Sequence, residues 1–221
     1  MSQVTGLTVG VLGGTGPQGK GLALRWITAG LAVVIGSRKA ERAQATAEEL
    51  RALVGGTVSG LDNAGCAAAA DVVLVAVPWE GHRELLESLR DELAGKIVID
   101  CVNPLGFDKQ GPYALHVPEG SAAQQAEKLL PDSRVTAAFH HVSAVHLVDP
   151  AIAEVATDVL VLGDDREATD LVRALADVIP GVRGIYGGRL RNAGQIEALT
   201  ANLIAINRRY KAHAGIRITD V

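Results

Sequence analysis

The sequence predicts an α/β protein with a doubly wound, mostly parallel sheet, and three observations carry this prediction. Short apolar runs rich in β-branched residues alternate with helical segments over residues 7–101. Hydrophobic residues make up 48% of the 221-residue chain and aromatic residues only 3%, so the core is built largely from Ala, Val, Leu and Ile. A glycine cluster directly follows the first apolar run. This composition and this order are typical of buried parallel strands covered by alanine-rich helices.

The predicted elements alternate along most of the chain. Strands are expected at residues 7–12, 32–35, 57–60, 72–77, 97–101 and 159–162, with a further apolar segment at residues 135–139. Helices are expected at residues 19–29, 40–53, 63–70, 83–93, 122–130, 167–178 and 195–210. Residues 104–119 are rich in Gly and Pro and have no periodicity, so they are predicted to form a long loop beside a ligand crevice.

The glycine cluster has the spacing G-x-G-x-x-G at Gly14, Gly16 and Gly19, between a predicted strand and a predicted helix. In that context the motif indicates a dinucleotide site, because the turn is tight, the pyrophosphate must approach the backbone, and the helix must pack closely on the strand. A plain tight turn is the alternative. The loop residues expected to bind the cofactor are Gly14, Thr15, Gly16, Pro17, Gln18 and Gly19.

The end of the second strand indicates NADP rather than NAD. NAD-binding folds place an Asp or Glu about 20 residues after the glycine loop, where it binds the ribose 2′-hydroxyl. This chain has Ser37 and Arg38 there, and Arg42 follows one helical turn later. A hydroxyl and two guanidinium groups can bind a 2′-phosphate with charge-assisted hydrogen bonds. An ordinary solvated helix face is the alternative for these basic residues.

Two further segments follow predicted strands at the crevice edge. Val77, Pro78 and Trp79 come after the fourth strand, where their rigid shape is suited to form a wall for the nicotinamide ring. A turn proline beside a core tryptophan is the alternative. Asn103 and Pro104 follow the fifth strand, and the Asn amide is a candidate to bind the nicotinamide carboxamide or a ribose. An Asx-turn explains this pair nearly as well.

Composition and charge exclude other classes of function. The net charge is −4 and the basic residues are scattered, so no nucleic-acid partner is expected. No apolar stretch reaches the ~18 residues of a membrane span, and residues 1–6 lack the features of a signal peptide. Cys66 and Cys101 have no metal-ligand spacing and are interpreted as packing residues in a reducing compartment. The expected location is therefore the cytoplasm, without a membrane partner.

The motifs at residues 12–16, 36–38 and 77–79 together resemble those of the F420-dependent NADP reductases, and the likeness runs from residue 7 to the C-terminus. The family's Leu-Gly-Gly-Thr-Gly, Gly-Ser-Arg and Val-Pro-Trp motifs occur here in the same order. Looser matches are a histidine-containing segment at residues 138–142 and a C-terminal helix, with Glu197 and Thr200, that follows an Asn.

The resemblance implies a Rossmann-type doubly wound parallel sheet with a small C-terminal α/β subdomain. Residues 1–150 would form the NADP-binding domain, and residues 151–221 would close a cleft for the deazaflavin coenzyme F420. The residues that the resemblance assigns to this cleft are His140, Val142 and Asn192. It also implies reversible hydride transfer between reduced F420 and NADP, with His140 as an orienting group and no obligatory acid, base or nucleophile. A satisfied loop or core histidine is the alternative for His140.

Two alternatives stay open at this point. An NADPH-dependent ferric or flavin reductase would use the same dinucleotide site, and a non-enzymatic NADP-sensing module would bind NADP without turnover. A metal site at His140, His141 and His146 is not expected, because adjacent residues of an extended chain point to opposite faces and no carboxylate or Cys completes the set. Small-molecule cofactors are the expected partners, and a homodimer is left open.

Overall fold

The computed structural model describes residues 4–221, so the first half of the segment used for the signal-peptide prediction lies outside the described residues. The strands of this part of the chain are β1 (Thr8–Leu12), β2 (Ala32–Ser37), β3 (Val58–Asp62), β4 (Val72–Val75), β5 (Ile97–Asp100), β6 (Leu105–Asp108), β7 (Gly111–Ala114), β8 (Arg134–Ala137), β9 (Thr157–Gly163) and β10 (Val182–Gly188). Their positions confirm the predicted strands to within a few residues.

The helices pack on both faces of the main sheet. They are α1 (Pro17–Thr28), α2 (Ala40–Val54), α3 (Asn63–Ala69), α4 (His82–Ser88), α5 (Arg90–Leu93), α6 (Ala122–Leu129), α7 (Ala144–Val148), α8 (Arg166–Asp177) and α9 (Ala193–Tyr210), with 3-10 helices at Trp79–Gly81 and Leu190–Asn192. Within residues 4–221, none of them combines the length and the apolar character needed to cross a bilayer.

The main sheet has eight strands in the order β10-β9-β8-β5-β4-β1-β2-β3. All neighbouring strands are parallel except β8 and β9, which pair in the antiparallel direction. The strand order reverses between β1 and β4, which places a crevice at the carboxyl ends of these strands. The predicted α/β class with a doubly wound parallel sheet is confirmed.

Residues beyond position 150 continue the same sheet through β9 and β10, and α8 connects these two strands. Because β9 runs antiparallel to β8, the start of β9 lies at the same edge as the carboxyl ends of β5 and β8. The division of the chain at residue 150 stays a prediction.

The prediction of a long loop without secondary structure at residues 104–119 was wrong. β6 and β7 form a hairpin there, and the Asp108 carboxylate accepts hydrogen bonds from the backbone N–H groups of Gln110 and Gly111 in its turn. Gly111 has a φ of +120°, which an L side chain rarely adopts. Sequence patterning missed the hairpin because strands of four residues containing a Gly or a Pro give almost no periodic signal.

Arg25 on α1 anchors the segment that follows the site histidines. Its buried guanidinium donates hydrogen bonds to the backbone carbonyls of Leu147 (2.9 Å), Ile152 (2.7 Å), His146 (2.5 Å) and Asp149 (2.9 Å). Four carbonyl dipoles stabilise this buried cation, and the charge of the nearby Asp149 carboxylate adds to them. This arrangement fixes α7 and the chain beyond it against the first helix.

Asp158 joins the C-terminal tail to the sheet. Its fully buried carboxylate accepts hydrogen bonds from Arg183 (2.6 and 2.8 Å), Arg217 (2.7 Å) and the Ile218 N–H (2.6 Å). The hydrogen bonds from Arg183 hold the pKa of this carboxyl well below its ordinary value. The ionised form therefore stabilises the fold at neutral pH.

Asp158→Asn is expected to lower the free energy of unfolding by about 2 to 3 kcal/mol at pH 7, because charged hydrogen bonds to a buried group are lost. The difference from the wild type should shrink as the pH falls below about 4, because the unfolded chain then binds a proton that the folded carboxylate does not yet bind. Urea unfolding at several pH values measures both effects. Asp170→Asn, which breaks only partly exposed ion pairs with Arg166 and Arg173, is the control and should cost less than about 1 kcal/mol.

Candidate active site

The glycine loop connects β1 to α1 as the sequence predicts. Gly13 has a φ of +76°, and a Cβ there would lie 2.4 Å from the Ala76 carbonyl oxygen. A Cβ at Gly19 would lie 2.9 Å from the Gly13 carbonyl oxygen, so this glycine allows the helix to pack on the loop. Both positions need glycine for internal packing.

Gly16 differs from its neighbours in the loop. It is the residue before α1, whose first residue is Pro17, and a Cβ added at Gly16 would meet nothing closer than the Gly13 carbonyl at 3.4 Å. The fold itself therefore does not require glycine here. The first turn of an α-helix leaves N–H groups without helical partners, so this position is suited to an anion.

The other loop side chains have separate environments. Thr15 is half-buried and Pro17 is exposed. The Gln18 side-chain amide donates a hydrogen bond to the Phe139 carbonyl at 3.0 Å. A Cβ at Gly14 would lie 2.9 Å from the Val11 carbonyl oxygen, so this residue also packs inward. The contact of Gln18 joins the glycine loop to the segment that carries the histidines.

Ser37 ends β2, and its hydroxyl accepts a weak hydrogen bond from the Lys39 N–H at 3.5 Å. The side chains of Arg38 and Arg42 are exposed at the same strand end, and within residues 4–221 neither forms an ion pair. The first helical turn after this strand carries one carboxylate, Glu41. These guanidinium groups are available to an anionic ligand.

The Val-Pro-Trp segment begins two residues after β4. Val77 is half-buried and lies next to the glycine loop, since a Cβ at Gly13 would be 2.9 Å from its Cγ1 atom. Pro78 is exposed, and Trp79 is half-buried at the start of a 3-10 helix. The indole ring of Trp79 packs on the imidazole of His82, with 5.4 Å between the ring centroids and 32° between the planes.

Asn103 binds the histidine segment directly. Its side-chain amide donates to the His140 carbonyl at 2.9 Å, and the Thr200 hydroxyl on α9 donates to the same carbonyl at 3.1 Å. Pro104 is buried, and its carbonyl accepts a hydrogen bond from the N–H of Leu115 after β7. Three segments that are distant in sequence thus meet at the backbone of one residue.

His140 is the least satisfied polar group of the site. Its side chain is only 4% exposed, and neither ring nitrogen has a hydrogen-bond partner. The residue before it, Phe139, has a φ of +66°, which is uncommon for a bulky residue and is often found at functional sites. Burial lowers the pKa of His140 to about 4, so the ring is neutral at pH 7. A neutral imidazole offers one donor and one acceptor to a ligand.

The remaining histidines and predicted contacts have other surroundings. The His141 Nε2 atom faces the Asp158 carbonyl at 2.7 Å, and Val142 is buried in the core. His146 packs edge-on against His213, with ring centroids 4.7 Å apart. Asn192 precedes α9 and lies about 12 Å along the helix axis from Thr200, given a rise of 1.5 Å per residue. Within residues 4–221, no three His, Cys, Asp or Glu side chains form a group able to hold a metal.

Sequence reasoning missed a buried polar cluster that lies next to Trp79. Its members are His82, Asp100, Gln125 and Glu197, all less than 5% exposed. The His82 Nε2 and Asp100 Oδ2 atoms are 2.6 Å apart, and the Glu197 carboxylate accepts hydrogen bonds from two N–H groups at the start of α6. Burial, with the charge of Asp100 next, raises the pKa of Glu197 to about 7. Asp100, the only charged residue at the end of the apolar strand β5, was the available signal.

The class of protein follows from this geometry. Three features define a Rossmann-type dinucleotide-binding protein. They are a mostly parallel sheet with a glycine loop between β1 and α1, a Ser-Arg pair at the end of β2, and a crevice where the strand order reverses. A model of the family described as NADP oxidoreductase, coenzyme F420-dependent, matches residues 8–104. The chain belongs to the family of F420-dependent NADP reductases.

Two relatives carry the family assignment over the whole chain. The F420-dependent NADP reductase of Methanothermobacter thermautotrophicus is 40% identical over 229 residues, which cover 100% of this chain and 98% of the relative. The enzyme of the same name from Methanocaldococcus jannaschii is 37% identical over 223 residues, which cover 97% of this chain and 99% of the relative.

A solved structure supports the fold. A protein of Arthrobacter sp. FB24, provisionally described as an F420-dependent NADP reductase, has a TM-score of 0.82 and 26% identity, with 97% of this chain and 100% of that chain covered. A pyrroline-5-carboxylate reductase from Coxiella burnetii has a TM-score of 0.61 at 18% identity, with 92% of this chain and 66% of that chain covered. The second likeness concerns the fold alone.

Proposed function

We propose that this protein catalyses reversible hydride transfer between reduced coenzyme F420, an 8-hydroxy-5-deazaflavin, and NADP. The family assignment and the full-length relatives support this reaction. The observation that carries it is the buried His140 ring, whose two nitrogens lack partners beside a glycine loop suited to a dinucleotide. Buried polar atoms without a hydrogen-bond partner are rare unless a ligand or an ordered water binds to them.

The NADP half of the proposed site lies between the glycine loop and the end of β2. The N–H groups at the start of α1 would bind the pyrophosphate, with Gly16 leaving space for it. Ser37, Arg38 and Arg42 would bind the 2′-phosphate, because a hydroxyl and two free guanidinium groups suit its charge and geometry. Thr15, Pro17 and Gln18 complete the proposed loop contacts.

The hydride-transfer half of the proposed site lies at the carboxyl ends of β4, β5 and β8. Val77, Pro78 and Trp79 would form one wall for the nicotinamide, while Asn103 and Pro104 border the crevice. Asn103 already donates to the His140 carbonyl, so its proposed role combines cofactor contact with support of the histidine segment. Val142 and Asn192 are included in the proposed deazaflavin cleft because the family resemblance assigns them to it.

The proposed hydride transfer needs no reacting atom from a protein side chain. The hydride leaves carbon 5 of the reduced deazaflavin and arrives at carbon 4 of the nicotinamide, so both reacting atoms belong to the coenzymes. The protein brings the two rings into contact and excludes water, which supplies the entropic part of the acceleration. A neutral His140 would hydrogen-bond to the carbonyl or ring nitrogen of the deazaflavin and stabilise its anionic oxidised form.

An absorbance assay tests the reaction and separates the alternatives. The purified protein should oxidise NADPH with oxidised F420 and should be much slower with FMN, FAD or ferric complexes as acceptors. Comparable rates with FMN would favour a flavin reductase, and NADPH binding without turnover by any acceptor would favour an NADP sensor. Either result would contradict the proposed function.

His140→Ala is expected to slow hydride transfer by a modest factor, about tenfold, without abolishing it, because the proposed role is orientation and charge stabilisation. The Michaelis constant for NADP should change little, since the phosphate contacts are distant from this ring. Stopped-flow absorbance of F420 reduction measures the rate. His146→Ala, which alters a half-buried histidine outside the proposed contacts, is the control. Equal effects of the two substitutions would remove His140 from the site.

The assembly and the location are part of the proposal. Exposed apolar side chains lie on the hairpin at Phe107 and Tyr113 and near the end of α9 at Ile206 and Tyr210. Because β7 packs on α9, these side chains can contribute to one surface, and we propose that it is buried in a homodimer. Light scattering of the wild type and of Tyr210→Asp tests this. A cytoplasmic location and a cofactor cleft closed by residues 151–221 also remain proposals.

A further inference from the structure

The ion pair of His82 and Asp100 is removed from water beneath the proposed nicotinamide wall. Both side chains are 0% exposed, and 2.6 Å separates the His82 Nε2 and Asp100 Oδ2 atoms. The second oxygen of Asp100 accepts a hydrogen bond from the Val102 N–H at 3.0 Å. Buried ion pairs contribute little net stability compared with apolar residues of the same volume, so stability alone does not explain this one.

The hydrogen-bond chain defines the protonation state of His82. The Gln125 amide nitrogen donates to the Glu119 carboxylate at 3.2 Å, which turns the amide oxygen toward His82 Nδ1 at 3.0 Å. An amide oxygen and a carboxylate oxygen both accept, so this geometry favours a proton on both ring nitrogens of His82. Burial acts to lower the pKa of His82, but the charge and hydrogen bonds of Asp100 and Gln125 raise it overall. Geometry and charge thus both favour the imidazolium form.

The charged and titratable groups around His82 come from three elements. Asp100 lies on β5, Glu119 precedes α6, and Glu197 on α9 adds a further negative field. Arg83 lies next to His82 in sequence but points to the surface, where it binds Glu119 at 2.5 Å. Asp100 is the main source of this field, because the Glu197 carboxyl, with its pKa raised to about 7, is only partly ionised at neutral pH.

Trp79 is the neighbour that connects this cation to the proposed site. Its half-buried indole packs on the His82 ring at 5.4 Å, close enough for a cation–π interaction, and it follows the exposed Pro78 in the segment after β4. A cation held in a fixed position against an indole restrains both the orientation and the position of the indole ring. An apolar residue in its place would fill the space without this restraint.

We infer that His82 is a positioning residue: the imidazolium held by Asp100 fixes the Trp79 ring, and through it the nicotinamide, for hydride transfer. The inference rests on the proposed function, because Trp79 is the proposed nicotinamide wall. It predicts that loss of the charge slows the transfer step more than it weakens NADP binding, since the phosphate contacts lie elsewhere in the crevice.

The first test uses Asp100→Asn in the full-length protein, with two readouts. An imidazolium quenches a stacked indole, so Trp79 emission should be low in the wild type at pH 7. In Asp100→Asn it should be higher at the same pH, because burial favours the neutral ring once the carboxylate is gone. Trp79→Phe identifies the emission that belongs to the second tryptophan, Trp26. At pH 8 the variant should transfer hydride roughly tenfold more slowly, with less than about a threefold change in the Michaelis constant for NADP.

The second test replaces the whole pair and guards against loss of folding. The double variant His82→Phe with Asp100→Leu fills much of the same space and removes both charges, and its circular dichroism spectrum is compared with that of the wild type to check folding. It should still transfer hydride about tenfold more slowly. Glu84→Gln, which removes an exposed carboxylate from the same helix as His82, is the control and should keep more than half of the wild-type rate.

The outcomes separate the two proposals. If the wild type transfers hydride and either charge-removing variant keeps the wild-type rate, the positioning role of His82 is wrong and the proposed function stands. If emission from Trp79 is as low in Asp100→Asn as in the wild type, the imidazolium beneath the indole is also wrong. If the wild type itself transfers no hydride to F420, the proposed function fails, and the inference fails with it.

Discussion

Gly16→Val is expected to abolish NADP binding while leaving the fold intact. A Cβ at this position would meet the rest of the protein no closer than 3.4 Å, so the substitution creates little internal conflict. The branched side chain would instead occupy the space in front of the α1 N–H groups, where the pyrophosphate is proposed to bind. Calorimetric titration with NADP should show no binding at millimolar concentration, and the circular dichroism spectrum should match that of the wild type.

Two comparisons make this prediction specific. Gly16→Ala adds a smaller group and should give an intermediate loss of affinity. Ala29→Val adds a branched side chain at the exposed opposite end of α1 and should bind NADP normally. An unchanged affinity in Gly16→Val would remove the loop from the cofactor site.

Arg38→Ala is expected to raise the Michaelis constant for NADP by roughly 10- to 150-fold and to leave that for NAD nearly unchanged. A charged hydrogen bond to a phosphate contributes about 1.5 to 3 kcal/mol, and NAD has no 2′-phosphate to lose it. Steady-state kinetics with both dinucleotides measure the ratio. The effect should weaken at high salt, because the guanidinium is exposed.

Lys39→Ala is the matched control for Arg38, since it removes an adjacent exposed cation of the same strand end. It should change the Michaelis constant for NADP by less than about threefold, because a general effect of surface charge is small. Equal losses for NADP and NAD in Arg38→Ala would contradict the assignment of the 2′-phosphate site. Arg42→Ala should give an effect in the same direction as Arg38→Ala.

Most of the sheet could be predicted because its signals are local. The apolar runs that became β1, β2, β4 and β5 are buried on both faces, and such strands are nearly continuous in Val, Ile and Leu. β10 was missed because its seven residues include three glycines. One of them, Gly184, is explained only by packing, since a Cβ there would lie 2.6 Å from the Arg173 carbonyl oxygen on α8. That constraint is not visible in the strand itself.

The candidate site likewise has a part that the sequence predicts and a part that only the structure shows. The glycine loop and the Ser37–Arg38 strand end are contiguous motifs, so their residue types and spacing indicate their chemistry. The cluster of His82, Asp100 and Glu197 joins three elements that only the folded sheet brings together. Likewise, the missing partners of the His140 ring are a property of its burial and not of its sequence neighbours. Non-local polar groups of this kind need a structure before they can be recognised.

Direct transfer between the two coenzymes is the central claim, and isotope transfer tests it most directly. NADPH carrying deuterium on one face of nicotinamide carbon 4 is incubated with oxidised F420 and the protein in ordinary water, and the reduced deazaflavin is analysed by mass spectrometry and NMR. The deuterium from the reactive face should appear at deazaflavin carbon 5 without dilution by solvent protons, because the two rings meet in a site that excludes water. Deuterium placed on the opposite face should stay on the nicotinamide. Complete washout of the label into water would contradict direct hydride transfer.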